Sequence, residues 1–315
     1  GSGGRKMHEL IDKLFIAKLG GPALKEKGDS AVIDMGAKKY AFTTDSYVVS
    51  PIFFPGGDIG RLAVCGTVND LAVCGAKPLY MSLGMVMEEG FDRKALERIV
   101  VSIRAASKEA GVEIATGDTK VVEKGSCDGI FINTSGIGEV FYGGLGRRGI
   151  RFGDAVIVSG PVGDHAISVL SRREGMNFDV RVKSDAAPIN RLIRRALDAS
   201  DGIRFMRDPT RGGLATTLNE IAAGGRFGIE IDESAVPVRG PVKGACELLG
   251  YDPLYLACEG RVIIIAERED AVKIVRSIKK DRYGKGAAVI GRVTSGPKGR
   301  ACLNTRSGGR RILDM

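Results

Sequence analysis

The sequence predicts two α/β domains joined by a short connection. The chain has 315 residues, and 43% of them are hydrophobic, which is enough for two ordinary domains. Each half mixes strand and helix patterns around apolar segments of its own. Between the halves lies the Gly- and Arg-rich segment "FYGGLGRRGIRFGD" (141–154), which is typical of a linker. We therefore assign residues 1–148 to the first domain and residues 149–315 to the second.

The first domain is predicted to pack strands against two helices. One helix is predicted over 58–74, capped by Asp58 and ended by Gly75. The other, "DRKALERIVVSIRAASKEAG", is amphipathic, begins after Asp92 and ends at Gly111. The strands are predicted at residues 31–35, 40–44, 79–86, 113–116 and 129–138.

The second domain shows the same mixture of patterns. Its strands are predicted at 155–160, 261–267 and 287–294, with one more at "ACLN" before a turn. Helices are predicted after the turn "GPVGDHAIS", and in "APINRLIRRALDAS", "GLATTLNEIAAG" and "GPVKGACELLG".

Composition argues against several functional classes. The six cysteines are scattered without a C-x-x-C pair and there are two histidines, so we do not expect a zinc or iron–sulfur site. The apolar runs are too short to span a membrane and no signal-peptide pattern is present, so we expect a soluble, cytoplasmic protein. The net charge is +9, but no aromatic residues interleave with the basic clusters, which favours a solvated basic surface over nucleic-acid binding.

Asp70 lies inside the predicted 58–74 helix without a basic residue three or four positions away. A buried carboxylate requires hydrogen bonds or a cation. Mg²⁺ held by carboxylates and nucleotide phosphates is a common arrangement. Asp70 therefore predicts either a hydrogen-bonded aspartate at a helix edge or a magnesium ligand.

More aspartates are predicted at the ends of apolar segments, where binding residues gather. They are Asp29, Asp45, Asp118 and Asp208. The sequence has neither a Walker A motif nor a G-x-G-x-x-G turn that opens a helix after a strand. A nucleotide site would therefore use these carboxylates rather than a phosphate-binding loop. The alternative is coincidence, since aspartate is common in turns.

Several segments resemble one known family over essentially the whole chain. They are "FFPGGDIGRLAVCGTVNDLAVCGA", "TGDTKVV", "SGPVGDHAISVLSRREGM", "RDPTRGGLATTLNEIA" and "ACEGRVI". The chain resembles the HypE family of hydrogenase-maturation proteins. That family belongs to an ATP-using superfamily with aminoimidazole ribonucleotide synthetase and selenophosphate synthetase. The resemblance implies a two-domain PurM-like fold. Its N-terminal α/β domain pairs strands across a dimer, its second domain is α+β, and ATP and Mg²⁺ lie in the cleft.

The resemblance also implies site residues. The metal-binding carboxylates are Asp29, Asp45, Asp70 and Asp208. The implied nucleotide-binding residues are Gly3, Gly4, Asp45, Asn69, Gly117, Asp118, Thr119 and Thr210. For Gly3 and Gly4, backbone N–H groups would meet phosphate before a helix, and the alternative is a flexible terminus.

The family's reaction is the ATP-dependent dehydration of a cysteine thiocarboxamide to a thiocyanate, the source of the cyanide ligand of nickel–iron hydrogenases. Lys120 and Arg211 are the implied cations around the γ-phosphate, and Glu259 is the implied base. The alternatives are a surface role for Lys120, a pair of Arg211 with Asp208, and a pair of Glu259 with Arg261. The family's reacting cysteine lies in a C-terminal Pro-Arg-Ile-Cys tail, whereas the last cysteine of this sequence, Cys302, lies in a predicted strand.

The implied partners are a second copy of the chain, the carbamoyl-transfer protein HypF and the HypC–HypD scaffold complex. Two other functions stay open at this point. One is the phosphorylation of a small substrate, as in selenophosphate synthetase. The other is a non-catalytic ATP-binding subunit that docks partner proteins.

Overall fold

The computed structural model describes residues 5–19, 22–26, 28–173 and 182–314. Two sheets form its framework, one in each half of the chain. The strands of the first half are β1 (Ala31–Asp34), β2 (Lys39–Tyr47), β3 (Phe53–Phe54), β4 (Gly57–Asp58), β5 (Ala76–Glu88), β6 (Glu113–Val122) and β7 (Ile130–Val140). Five of them form a sheet in the order β1-β2-β7-β5-β6, and β3 and β4 form a separate small ladder.

The two long helices of the first half confirm the sequence-based expectations, and the shorter ones before β1 were not predicted. They are α1 (Arg5–Leu10), a π-helical turn (Ile11–Ile16), α2 (Ala17–Leu19), α3 (Pro22–Lys25), α4 (Ile59–Val73) and α5 (Arg93–Ala110). The Asp58 carboxylate caps α4 by accepting a hydrogen bond from the Arg61 N–H at 2.9 Å, and Asp92 caps α5 in the same way. Gly111 ends α5 in the left-handed conformation, with φ of 73°.

The second half is built on a seven-stranded sheet. Its strands are β8 (Ala155–Val158), β9 (Ile203–Arg207), β10 (Gly228–Asp232), β11 (Ile263–Ala266), β12 (Ala288–Thr294), β13 (Ala301–Asn304) and β14 (Arg310–Ile312). Their order is β14-β13-β10-β12-β8-β11-β9. The helices are α6 (Asp164–Leu170), α7 (Asn190–Ala199), α8 (Gly213–Ala222), α9 (Gly240–Leu249) and α10 (Ala271–Ile278). In the described ranges, none of the helices has both the length and the apolar character needed to cross a membrane.

Strands β2, β5 and β6 are longer than predicted, and the added length of β2 and β6 changes the setting of two aspartates. Strand β6 pairs in parallel with β5 as far as Val122, so Asp118 lies within a strand and not after one. Strand β2 continues to Tyr47, so Asp45 also lies inside a strand. The polar composition of these strands hid them from a pattern based on apolar runs. In this sheet β1 lies at one edge and β2 lies inside, between β1 and β7.

The two halves are joined by side chains of α4 and by segment 182–189 of the second half, which is neither helix nor strand. The Arg61 guanidinium donates to the Ala186 carbonyl at 2.7 Å and to the Tyr283 hydroxyl at 3.2 Å. It also pairs with Glu109 of α5 at 3.0 Å. Because Arg61 contacts both halves, it fixes how α4 lies against the second sheet.

We expect Arg61→Ala to lower the free energy of unfolding by about 2 kcal/mol, because the substitution leaves the Ala186 carbonyl and Glu109 without this partner. Urea denaturation measures this loss. Arg93→Ala is the matched control, since it removes an exposed pair with Glu97 that contributes less than about 0.5 kcal/mol. Equal effects of the two substitutions would show that Arg61 does not join the halves.

Candidate functional site

Four predicted metal carboxylates lie in one region, where the two halves face each other. Asp45 lies on the side of β2 that faces α4, and Asp70 lies in the last turn of α4. Asp29 lies just before β1, and Asp208 directly follows β9. Three of these carboxylates, Asp29, Asp45 and Asp208, each raise the pKa of Asp70 by repulsion. The structure therefore brings together residues that are far apart in the sequence.

Asp70 is held by hydroxyl groups and not by a basic side chain. Thr43, which precedes Asp45 by two positions on the same face of β2, donates to the Asp70 carboxylate at 3.0 Å. The Ser30 hydroxyl donates to the Asp70 carbonyl at 3.0 Å. Burial, and then the repulsion of the neighbouring aspartates, holds the pKa of Asp70 well above its usual value. A cation at this position would therefore stabilise the ionised form.

Asp208 is positioned by a tight turn between β9 and α8. Gly212 and Gly213 in this turn have φ of 64° and 63°, in the left-handed region that favours glycine. A Cβ at Gly213 would lie 2.5 Å from the Leu256 carbonyl oxygen, so the turn packs without side chains. Burial and the nearby Asp29 carboxylate raise the pKa of Asp208 to about 8.

Asp29 differs from the other carboxylates because it has a basic partner. Arg207 pairs with Asp29 at 3.1 Å and with Glu220 of α8 at 3.2 Å. Glu220 in turn contacts His8 of α1 at 3.0 Å. This chain of contacts connects the N-terminal helix to the edge of the carboxylate group.

Glu259 adds a fifth carboxylate to the same region. Its side chain is half-buried, and burial followed by repulsion from Asp208 and Asp185 holds its pKa well above the usual value. Arg261 pairs instead with Asp164 at 3.5 Å and with Asp185 at 3.3 Å. A carboxyl group with a raised pKa can take up and hold a proton near neutral pH.

The residues of the "GDTK" motif (117–120) lie away from the carboxylates in the structure. Across the sheet, Asp45 stands in one row with Thr134, Leu83 and Gly117, so three strand spacings, about 14 Å, separate Asp45 from β6. Asp118 is one position further along β6, so its side chain lies on the face of the sheet opposite to that of Asp45. Lys120 shares that face with Asp118, and their side chains are 71% and 73% exposed.

The other predicted nucleotide-binding residues differ in position and in exposure to solvent. Gly117 and Thr119 lie on exposed β6, and Thr210 lies half-buried in the turn after Asp208. Gly3 and Gly4 lie outside the described residues. Asn69 is 2% exposed, and its carboxamide is bonded to the backbone of the second half. Arg211 is exposed, and among the described residues it forms no ion pair with Asp208. Burial raises the pKa of Asp29 and of Glu259, and the positive charge of Arg211 opposes that rise only weakly.

The donor set fits a magnesium ion that also binds phosphate. Within the described ranges, no three His, Cys, Asp or Glu side chains lie close enough to enclose a metal ion on their own. Several carboxylates nevertheless repel one another at the same place. Mg²⁺ typically takes one or two carboxylates and completes its octahedron with water and substrate phosphates. Oxygen donors of this kind are compatible with that arrangement.

Sequence patterns did not indicate three residues that shape the site. Thr43 faces Asp70 because of strand alternation, which the "TTD" motif could have revealed. Arg207 adjoins Asp208, but its pairing with Asp29 depends on a contact between distant segments. Asp185 lies in segment 182–189, which is neither helix nor strand and has no periodic pattern.

The comparisons with known proteins agree with this architecture. Residues 27–140 match the model of the N-terminal domain of AIR synthase related proteins, and residues 151–303 match the C-terminal domain. Carbamoyl dehydratase HypE of Cupriavidus necator is 46% identical over 316 residues, covering 100% of this chain and 90% of that protein. Carbamoyl dehydratase HypE of Escherichia coli is 43% identical, covering 93% and 89%.

Two solved structures extend the likeness to three dimensions. A HypE–HypF complex has a TM-score of 0.91 at 45% identity, and covers 97% of this chain and 99% of that chain. Hydrogenase maturation protein HypE in complex with ATP has a TM-score of 0.85 at 48% identity, with 100% and 96% covered. By full-length identity and by fold, the chain belongs to the HypE family of hydrogenase-maturation proteins, within the wider family of AIR synthase related proteins.

Proposed function

We propose that this chain is an ATP-dependent carbamoyl dehydratase that converts a cysteine thiocarboxamide into a thiocyanate for hydrogenase maturation. The observation that carries the proposal is the group of five carboxylates at the junction of the two sheets, with Glu259 beside the four aspartates. Full-length relatives at 46% identity are named for this activity. The relative solved with ATP supports ATP as the second substrate.

The chemistry requires an activated leaving group and a base. The thiocarboxamide oxygen attacks the γ-phosphorus, the bond between that phosphorus and the bridging oxygen breaks, and ADP leaves. The amide nitrogen then loses its protons, the C–O bond breaks, and inorganic phosphate leaves with the bonding electrons. A C≡N triple bond remains on sulfur. The oxygen of the departing phosphate accounts for the water that is formally removed.

The chain's own residues divide these tasks. Glu259 takes a proton from the amide nitrogen, since burial and repulsion give its carboxylate a high proton affinity. Arg211 spreads the charge on the transferred phosphoryl group. Lys120 is the second candidate cation; because it lies on the face of the sheet away from Asp45, it would reach a phosphate only across the proposed dimer. Thr43 and Ser30 orient Asp70. Asp29, Asp45, Asp70 and Asp208 are the residues that would hold Mg²⁺, which supplies charge neutralisation at the phosphates.

We propose a homodimer formed by the N-terminal sheet. On the face of that sheet opposite α4, Phe42 is 45% exposed and Tyr80 is 50% exposed. A face with apolar residues of this size suits an interface. The same face carries Asp118 and Lys120, so pairing two sheets would bring these side chains towards the second subunit.

The other proposed partners, HypF and the HypC–HypD complex, are those of the HypE family. A relative solved as a HypE–HypF complex supports HypF as the carbamoyl donor protein, and the HypC–HypD complex is the proposed acceptor. Both steps would take place in the cytoplasm.

The proposed activity predicts modification of a tail. Because none of the chain's cysteines has an obvious source of activation, we append a flexible tail of about 12 residues ending in Pro-Arg-Ile-Cys, which extends about 40 Å. After incubation with HypF, carbamoyl phosphate and ATP, mass spectrometry should show a gain of about 43 Da on the added cysteine and then a loss of about 18 Da, the masses of carbamoylation and dehydration.

Asp70→Asn in the tailed protein should keep the first mass change and slow the second at least about 10²-fold, the usual cost of one transition-state electrostatic contact. Asp198→Asn, an exposed substitution on α7, is the control. A normal dehydration rate in Asp70→Asn would show that Asp70 has only a structural role.

Two other results would contradict the proposed reaction. Modification of Cys302 would overturn the tail model, and stable phosphorylation of a small substrate would favour a selenophosphate synthetase-like enzyme.

The pKa of Asp208 predicts how stability depends on pH. Folded Asp208 keeps its proton up to about pH 8, whereas the unfolded chain releases it near the ordinary value of 3.8. Between these values the unfolded state binds fewer protons, so the free energy of unfolding falls as pH rises, by up to about 1 kcal/mol per pH unit for this group. Urea denaturation in EDTA, at about pH 5 and about pH 8, measures the fall. Asp208→Asn should make it shallower and Asp198→Asn should not; equal slopes would contradict the assignment.

The proposed dimer predicts complementation between two inactive variants. Asp70→Asn and Lys120→Ala homodimers should each be inactive in ATP turnover. A heterodimer of the two retains one site with both native residues. A statistical mixture should therefore recover about a quarter of the wild-type rate. Absence of recovery, with light scattering showing mixed dimers, would place Lys120 in the same subunit's site or outside any site.

A further inference from the structure

We propose that Asn69 and Asp185 are positioning residues that fix the backbone of Glu259 from both sides and so aim its carboxylate at the substrate. This inference rests on the proposed function, in which Glu259 is the base. Neither side chain would touch the substrate. Each acts through the Glu259 backbone.

The contacts are direct hydrogen bonds. The Glu259 N–H donates to Asp185 Oδ1 at 3.0 Å. The Glu259 carbonyl accepts from Asn69 Nδ2 at 3.3 Å. One residue therefore has its donor and its acceptor held by different segments, one in each half of the molecule.

Close packing at the next residue makes this arrangement specific. A Cβ at Gly260 would lie 1.9 Å from the Asp185 carbonyl oxygen and 3.1 Å from the Ala187 nitrogen. The segment that carries Glu259 can therefore approach segment 182–189 this closely only because residue 260 is glycine. Asp185 is itself fixed by Arg261, at 3.3 Å.

Asn69 connects this contact to the metal carboxylates. Its Nδ2 also donates to the Ala187 carbonyl at 3.0 Å, and its Oδ1 accepts from the Ile189 N–H at 2.9 Å. These bonds occupy both ends of a buried carboxamide. Asn69 adjoins Asp70 on α4, so one turn of helix positions a predicted metal ligand and the backbone of the base. The distance between the base and the phosphate site is thereby fixed across the two halves.

The test uses the tailed protein and separates nucleotide binding from chemistry. The variants are Asn69→Ala, Asp185→Ala, Asp185→Asn and, as a matched control, Asn190→Ala. Asn190 also donates one hydrogen bond across the junction, to the Ala110 carbonyl at 2.8 Å, but does not contact Glu259. The readouts are the single-turnover rate of thiocyanate formation by mass spectrometry, and the Kd of a non-hydrolysable ATP analogue with Mg²⁺ by calorimetry.

We expect Asn69→Ala and Asp185→Ala to slow thiocyanate formation about 10²-fold, the scale of a misplaced catalytic group, while Kd changes by less than about threefold. Asp185→Asn keeps an acceptor for the Glu259 N–H and should stay within about fivefold of the wild-type rate, as should Asn190→Ala. If Asn69→Ala does not fold, the two Asp185 variants decide.

Wild-type rates in the alanine variants would overturn the inference, as would an equal loss in Asn190→Ala. A large rise in Kd at an unchanged saturated rate would make Asn69 a nucleotide-binding residue instead. If the wild-type tailed protein forms no thiocyanate, the proposed function itself fails, which is a different result.

Discussion

The mutual repulsion of half-buried and buried carboxylates is the constraint on which the site depends. Free carboxylates in water would move apart because of this repulsion. In the folded chain the backbone holds them at the junction of the two sheets. Two glycines turn the chain after Asp208, Thr43 holds Asp70, and Arg207 neutralises Asp29 alone. Such an arrangement persists when surrounding packing over-determines it. A cation bound here with phosphate ligands, as proposed above, would relieve this repulsion.

Local sequence signals predicted much of the fold. Both long helices of the first half begin and end at the expected caps, since capping depends on a few adjacent residues. The lack of a basic neighbour for Asp70 also pointed correctly to a carboxylate without a side-chain counter-charge. Strand ends were less predictable, because the polar residues of β6 are compatible with a strand only through its pairing with β5.

The settings of Lys120 and Asn69 depend on long-range geometry that no local pattern contains. Lys120 lies on the far face of the sheet because of the register that links β2 to β6. Asn69 and Asp70 are adjacent and look alike in sequence, yet one is bonded to backbone and the other faces the carboxylates. A one-residue difference on a helix changes the direction of a side chain by about 100°.

Thiol chemistry is consistent with an external carrier for the reacting sulfur. All six cysteines are free. Burial raises the pKa of Cys65 and of Cys74 to about 12, so these thiols stay protonated near neutral pH. Burial also raises the pKa of Cys258, which lies next to Glu259 in sequence. The thiols nearest the site are thus poor competitors for an activated carbamoyl group.

The bonds that cross the junction have a mechanical consequence. Arg61, Asn69 and Asn190 tie the first half to the second at separate points, so rotation of one sheet about the linker would break several hydrogen bonds together. Opening of the two halves would therefore cost all of these bonds at once, so we expect the site to keep its shape. A tethered thiol would have to enter through the mouth of the cleft by diffusion of its own chain. Its encounter rate would then follow the effective concentration set by tether length and stiffness.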